Sequence, residues 1–336
     1  VDFLSADSLP WLKPAQLRLR AAWEAQRLPH SLLLLSVPGL GAEQLANWIT
    51  ALALCESNDS RPCGACASCQ LLRAESHPDS HRVRVEEDAH QIKVDQVRSL
   101  IESLAFKSYR GGFKVGVIEG AEALNVNGAN AFLKTLEEPT ANTVLIMIAR
   151  PNHRLPATIA SRCLRLTLQP PAADMAVAWL GAHAAAPAAG VHASAARSWE
   201  AALTLAGGAP LLALEMDAAR IATLDADMRE SLSQLSAGTV DVSLLAERWL
   251  KSEPGLRITW LENWITRCVH EWIGAGTSHQ SAEPVRLPAA LLKPKMRALF
   301  ELLDAARDLR RLASTGMNQQ LALEALLLGG RAALAR

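Results

Sequence analysis

Cys55, Cys63, Cys66 and Cys69 form a C-x7-C-x2-C-x2-C run in which closely spaced thiolates can turn toward one point around Gly64. Four thiolates close the tetrahedral shell of zinc and leave no position for a substrate, so the spacing predicts a structural rather than a catalytic metal. Reduced free thiols or a redox pair are the alternatives. A disulfide framework is not expected: such frameworks belong to small secreted chains, whereas this chain has 336 residues and only six cysteines.

A second group has the layout of a phosphate-binding turn, in which backbone amides and a helix amino terminus hold phosphate oxygens. Ser36-Val37-Pro38-Gly39-Leu40-Gly41-Ala42-Glu43 lies between an apolar run and a helical pattern. Measured against G-x-x-x-x-G-K-[ST], it begins with Ser36, has Ala42 in place of lysine, and has Glu43 in place of the magnesium-binding hydroxyl. The turn alone is a weak signal, compatible with a plain connection. A second phosphate-site element would be an apolar strand ending in two acidic residues; Val115-Gly116-Val117-Ile118-Glu119-Gly120 keeps one carboxylate and lacks the general base. Ser161-Arg162-Cys163 precedes the last apolar run, and its arginine is by pattern either a surface ion-pair former or a functional cation. His30 and His77 are expected to be structural, hydrogen-bonded histidines.

The elements that must position these groups alternate. Helical spacing covers 14–28, 42–55, 94–106 and 128–136; strand-like runs cover 31–37, 82–85, 114–118, 144–148 and 164–168. Continuous apolar strands between helices predict a doubly wound parallel sheet covered on both faces. After Gln169-Pro170-Pro171 the chain becomes alanine-rich and helical, with breaks at Ala186-Pro187 and Gly207-Gly208-Ala209-Pro210 and a polar loop expected from Gly274 to Pro288. Trp260 and Trp264 lie four apart and, with Trp272, are expected in a core.

Half of the residues are hydrophobic and 34 basic residues balance 34 acidic ones, so a soluble multidomain protein is expected with no global field drawing it to nucleic acid. No run is long enough to span a bilayer, and the first residues lack a secretory pattern, which points to the cytoplasm and to no membrane partner.

Together these segments resemble the delta-prime family of bacterial DNA polymerase III clamp-loader subunits, within the AAA+ superfamily. The resemblance is carried by Leu28-Pro29-His30-Ser31-Leu32-Leu33-Leu34, the four-cysteine insert, His77-Pro78-Asp79 and Ile92-Lys93-Val94-Asp95-Gln96-Val97-Arg98. Residues 130–139 (NAFLKTLEEP), 155–163 and 318–324 continue it. It is dense over 10–168, thinner to about 215, and mostly topological beyond. It implies an α/β AAA+ domain over 1–168 with a degenerate phosphate loop and a zinc module at 55–69, a small helical lid over 169–210, and an all-α collar over 211–336. It also implies a role in DNA replication, within a five-subunit assembly of the polymerase holoenzyme that places a sliding clamp on primed DNA. The partners would be ATPase motor subunits and a delta subunit. Arg162, in the Ser161-Arg162-Cys163 motif, would complete a neighbour's ATP site as an arginine finger.

The motor's phosphate-sensing threonine has no counterpart at Ala149-Arg150, and the lid arginine falls at Leu211. These departures, with Ala42, Glu43 and Gly120, imply no bound ATP and no intrinsic catalysis. The competing functions are an active ATPase motor of the same complex, which Ala42, Glu43, Gly120 and Leu211 oppose, and a zinc-dependent DNA-binding module. Neutral charge and the absence of an aromatic-basic ladder oppose the latter.

Overall fold

In a computed structural model of the chain, the described residues are 8–57, 60–86, 89, 91–151, 155–183, 192–274, 296–312 and 318–334. The chain divides after Pro170 into two compact units.

The first unit is built on five parallel strands in the order β2-β3-β4-β1-β5. They are β1 (Ser31–Leu35), β2 (Ser80–Val83), β3 (Lys114–Glu119), β4 (Thr143–Ala149) and β5 (Leu164–Thr167). Helices α1 (Lys13–Glu24), α2 (Ala42–Leu54), α3 (Ala67–Arg73), α4 (Val94–Ala105), α5 (Val126–Glu137) and the short α6 (Ala157–Ala160) connect them. Ser31 pairs with Leu145 and Leu32 with Leu164, so β1 lies between β4 and β5. Alternate residues of β1 point to opposite faces: Leu33 joins Val97, Leu100, Ile118 and Phe132 in one core beneath α4 and α5. Gly116 is required by that packing, since a Cβ there would lie 2.9 Å from Leu104 Cδ1.

Most expected elements are present, with shifted ends. Helix α1 stops at Glu24 instead of reaching Leu28, because Gln26 turns left-handed (φ 55°) and Arg27 N donates to Ala22 O at 2.7 Å. Strand β2 starts two residues early, at Ser80, where it pairs with Val115. Helix α5 starts at Val126 because Asn125 caps it, its side chain accepting from Gly128 N at 2.8 Å. The insert contributes α3, whose cap is the Cys66 sulfur.

The second unit consists of helices α7 (Ala173–His183), α8 (His192–Leu205), α9 (Pro210–Leu214), α10 (Ala218–Ala237), α11 (Val242–Lys251), α12 (Pro254–Gly274), α13 (Met296–Leu312) and α14 (Gln319–Leu334). Trp260 and Trp264 are buried and stacked, with ring centroids 6.2 Å apart, and Trp260 Nε1 donates to Asp225 Oδ1 at 2.8 Å. Asn263 Nδ2 donates to Thr204 O and Leu205 O at 3.0 and 2.8 Å, closing the carboxy terminus of α8. The side chain of Trp272, the Ala186-Pro187 break and the loop from residue 275 to Pro288 lie outside the described residues. Among the described residues no helix is long and apolar enough to cross a membrane.

Lys114 is an unusual core residue. It is buried, and Nζ donates to Leu104 O at 2.5 Å, Phe106 O at 2.8 Å and Thr140 Oγ1 at 2.8 Å, tying the end of α4 to the start of β3. Burial pushes its ammonium below the usual lysine range. Lys114→Met keeps the volume but removes the donor to Phe106 O and leaves Leu104 O with Thr140 Oγ1 alone, so it should lower stability by about 1–3 kcal/mol. Urea unfolding of the full chain, followed by circular dichroism, measures this; an unchanged midpoint would show that the three hydrogen bonds contribute nothing net.

Candidate functional site

The phosphate-like turn stands at the carboxyl end of β1, where open α/β sheets bind ligands. Here the protein's own chain fills it. A 3-10 turn at Pro10–Leu12 lies over the loop, Trp11 Nε1 donates to Leu40 O at 2.9 Å, and Leu9, Leu12, Leu40 and Ala42 are all at most 2% exposed. Gly41 is left-handed (φ 89°), and a Cβ on it would come within 2.9 Å of Leu9 Cδ1. Glu43 is exposed in the first turn of α2, where its charge complements the positive helix end.

The second element is equally altered. Glu119 ends β3 but forms an ion pair with Arg82, which also donates to Asn47 Oδ1. Gly120 is left-handed (φ 72°), with only Val85 Cγ2, at 4.0 Å, near its missing Cβ. Backbone conformation, not space, selects glycine there. Arg150 pairs with Glu122 at 3.5 Å, and Leu211 is half-buried in α9.

At the amino-terminal end of the sheet, the four cysteine sulfurs lie within 4.8 Å of one another, with Cys55 Sγ and Cys66 Sγ 3.9 Å apart. A tetrahedral zinc at about 2.3 Å from each sulfur requires edges of about 3.8 Å, so the cluster fits such an ion. Backbone amides already support thiolates: Cys66 N donates to Cys63 Sγ at 3.3 Å, Cys63 N to Cys55 Sγ at 3.4 Å, and Cys69 N to Cys66 Sγ at 3.5 Å. Without an ion, amide donors from Ala65 and Cys66 bring the Cys63 thiol down to about 6, while burial pushes Cys55 and Cys69 up.

A hydrogen-bonded chain links this insert to the sheet. Ser68 Oγ donates to Glu56 Oε1 at 2.9 Å; His77 Nε2 lies 3.1 Å from Ser68 Oγ; Asp79 N donates to His77 Nδ1 at 3.1 Å. Because Nδ1 accepts, the proton of the neutral ring is on Nε2 and is donated to Ser68. Burial lowers the His77 pKa, which agrees with the neutral form. The Asp79 carboxylate accepts from Tyr109 N at 2.6 Å, Arg110 N at 3.0 Å and Ser108 Oγ at 3.1 Å, shaping the loop before β3. His77 is thus a buried structural histidine, and His30 Nε2 lies 3.1 Å from Leu136 O.

Arg162 sits in the turn between α6 and β5. Its Nε donates to Glu137 Oε1 at 2.7 Å and Nη1 to Thr158 O at 2.8 Å, while about a third of the side chain (35%) remains exposed. Ser161 Oγ donates to Thr158 O, and burial holds the Cys163 thiol up at about 11, far from nucleophilic. Glu137, the second residue of a Leu-Glu-Glu-Pro run, becomes notable only when folding brings it to Arg162.

The loop shaped by Asp79 corrects one sequence expectation. Phe106-Lys107-Ser108-Tyr109-Arg110-Gly111-Gly112-Phe113-Lys114 does interleave aromatic and basic residues, and Phe106 and Tyr109 are 72% and 84% exposed. The run is short, and within it Lys114 is buried and Phe113 half-buried.

Residues 13–172 match the family model described as "DNA polymerase III, delta subunit". The chain is 33% identical to DNA polymerase III subunit delta' of Pseudomonas aeruginosa over 96% of this chain and 97% of that one. It is 32% identical to the Escherichia coli subunit delta' over 95% and 94%, respectively. It is also 31% identical to DNA polymerase III subunit tau of Salmonella typhimurium, over 43% of this chain and 22% of that protein. With an AAA+-like parallel sheet, a four-cysteine insert and a helical carboxy-terminal unit, the chain belongs to the DNA polymerase III delta' family of clamp-loader subunits.

Proposed function

We propose that this protein is a non-hydrolysing subunit of a clamp loader that helps place the sliding clamp on primed DNA and lends Arg162 to the ATP site of a neighbouring motor subunit. The observation that carries this is the separation of Arg162 from its own phosphate turn. Leu164, the first residue of β5, is level with Leu32, while the turn begins four residues further along at Ser36. At ~3.3 Å per residue that is roughly 13 Å along the sheet, and Arg162 precedes the start of β5. An arginine so placed serves a nucleotide on another chain. Glu137 neutralises the guanidinium until a phosphoryl group replaces it, and the planar fork suits two parallel hydrogen bonds to phosphate.

The second unit supplies the means of assembly. Leu244 on α11 and Leu321 and Leu328 on α14 are exposed apolar side chains, and Ser243 Oγ donates to Glu324 Oε1 at 2.7 Å between the same two helices. In this proposal residues 169–210 act as a lid and 211–336 as a collar that holds the motor and delta subunits. The complex acts in the cytoplasm as part of the polymerase holoenzyme.

Arg162→Ala should leave folding and assembly intact and lower the clamp- and DNA-stimulated ATPase of the reconstituted loader. Fingers of this type contribute roughly 10³ to 10⁵ at their own site; the loss in bulk turnover is smaller because other sites keep their arginines. Arg162→Lys should restore little, lacking the fork. Wild-type turnover by a fully assembled mutant complex would remove Arg162 from the mechanism.

The chain itself should not hydrolyse ATP. The paired substitution Ala42→Lys and Glu43→Thr should not restore turnover, because Glu119 is held by Arg82, Gly120 supplies no base, and Leu9 and Leu12 occupy the approach. Magnesium-dependent phosphate release by the purified variant, proportional to its concentration, would contradict this.

We assign a structural zinc to Cys55, Cys63, Cys66 and Cys69. Cys55 and Cys69, whose pKa values burial raises, must lose protons on binding, so zinc affinity should rise with pH. Elemental analysis should give one zinc per chain, and transfer to a chromophoric chelator should accelerate as pH falls from about 8 to about 6. Metal-free protein purified without chelators would refute the assignment. Cys66→Ser should loosen the insert and leave the sheet folded.

A further inference from the structure

A cavity of about 790 Å³ opens at the amino-terminal end of the sheet, away from the phosphate turn. Arg20, Trp23, Glu24, Arg61, Phe113 and Asn142 contribute to its wall. Its size falls within the range of small-ligand sites. Two arginines face it against one carboxylate. Arg20 stacks over Trp48 with Cζ 5.7 Å from the ring, yet its Nε is buried and has no hydrogen-bond partner. No ion pair is made by Arg20 or by Arg61 among the described residues. Arg61 is placed by Nε donating to Ser57 O at 2.6 Å, with Cζ 5.4 Å from the Trp23 ring. Trp23 in turn meets Phe113 at 4.8 Å between centroids, tilted by 56°.

A buried donor left unpaired costs about 1–3 kcal/mol unless water or a ligand satisfies it. Here the arginine that carries that donor, a second arginine oriented by an aromatic ring, and an amide side chain line one cavity with two aromatic walls. Asn142 is left-handed (φ 54°), which directs its carboxamide from a turn that few residue types adopt. A second cavity of about 440 Å³ shares Trp23, Arg61, Phe113 and Asn142 with the first and continues to Arg110, giving a ligand room to extend. The charge calls for an anion, the forked donors suit phosphate oxygens, and the ring faces suit a planar base.

We propose that this cavity binds a nucleoside monophosphate, either free or as the phosphorylated end of a single strand, with Arg20 and Arg61 on the phosphate and Trp23 and Phe113 beside the base. This site is separate from the degenerate turn and needs no magnesium. Glu24 sets its preference: a carboxylate in the wall opposes a crowded triphosphate more than one phosphate group.

Calorimetry on the zinc-loaded full chain without magnesium would test it, using dAMP, deoxyadenosine, inorganic phosphate, and a short single strand with or without a 5′-phosphate. The monophosphate or the phosphorylated strand should bind at least about tenfold more tightly than deoxyadenosine or phosphate alone. A preference for the strand over dAMP identifies a strand end as the source; equal affinity identifies the free nucleotide. Arg20→Gln should weaken binding about tenfold or more, with zinc content and melting temperature unchanged. If that variant misfolds, Asn142→Gly, which tolerates the same backbone, should weaken binding by a smaller factor. The absence of binding at about millimolar ligand would overturn the proposal. So would inorganic phosphate binding as tightly as dAMP, or full affinity in either folded variant.

Discussion

Every strand of this sheet points the same way, and much of the chain's behaviour follows from that polarity. A parallel sheet requires each connection to return to the starting edge, so β1 delivers its turn at one end while α2 and α5 bring their last residues back to the other. The four-cysteine insert leaves from the end of α2, and Glu137 lies at the end of α5. Arg162 precedes β5 and therefore begins at that same edge. One end of the sheet carries a phosphate-type turn, and the other carries the four cysteines, the arginine and the exposed aromatic loop. No rearrangement short of breaking the sheet brings Arg162 to the chain's own turn.

Loss of the nucleotide-binding residues has not left the turn loose. Leu9 and Leu12 bury themselves over it, each side chain contributing about 1.5–3 kcal/mol relative to exposure, and the indole of Trp11 fixes Leu40 O. Gly41 remains glycine for reasons unconnected with phosphate: its φ of 89° and the 2.9 Å approach of Leu9 both exclude a Cβ. Glycines of a phosphate loop can thus outlast its chemistry as packing residues. Packing by the chain's own leucines thus takes up the place over the turn.

The sheet was legible because its three central strands are short continuous apolar runs and its helices have clear apolar spacing, as in Ser31–Leu35 and Val94–Ala105. The cysteines were legible because four ligands close together leave few other uses. What remained hidden involves residues distant in sequence. Glu119 looked like a surviving magnesium ligand until folding brought Arg82 against it. Glu137 gains meaning from Arg162, and Arg20 and Arg61 share a cavity only because α1 and the insert meet Phe113 and Asn142 there. The ends of α1 and β2 moved for local reasons, a left-handed residue at Gln26 and a pairing that begins at Ser80.

The insert is more than a stapled loop, because its effect passes into the sheet through directed hydrogen bonds. The four sulfurs gather at the start of α3, which carries Ser68, fully buried beside Cys69. Ser68 accepts the proton of His77 Nε2 only in one tautomer, and that tautomer leaves Nδ1 free to receive Asp79 N. Asp79 is then held where its two oxygens gather Ser108, Tyr109 and Arg110. Each link has a direction, so a change at one end is felt as a donor without an acceptor at the next. The backbone at Tyr109 is therefore tied, through Asp79, His77 and Ser68, to the helix that carries Cys69. A cysteine cluster can in this way be coupled to the surface that the chain offers to others.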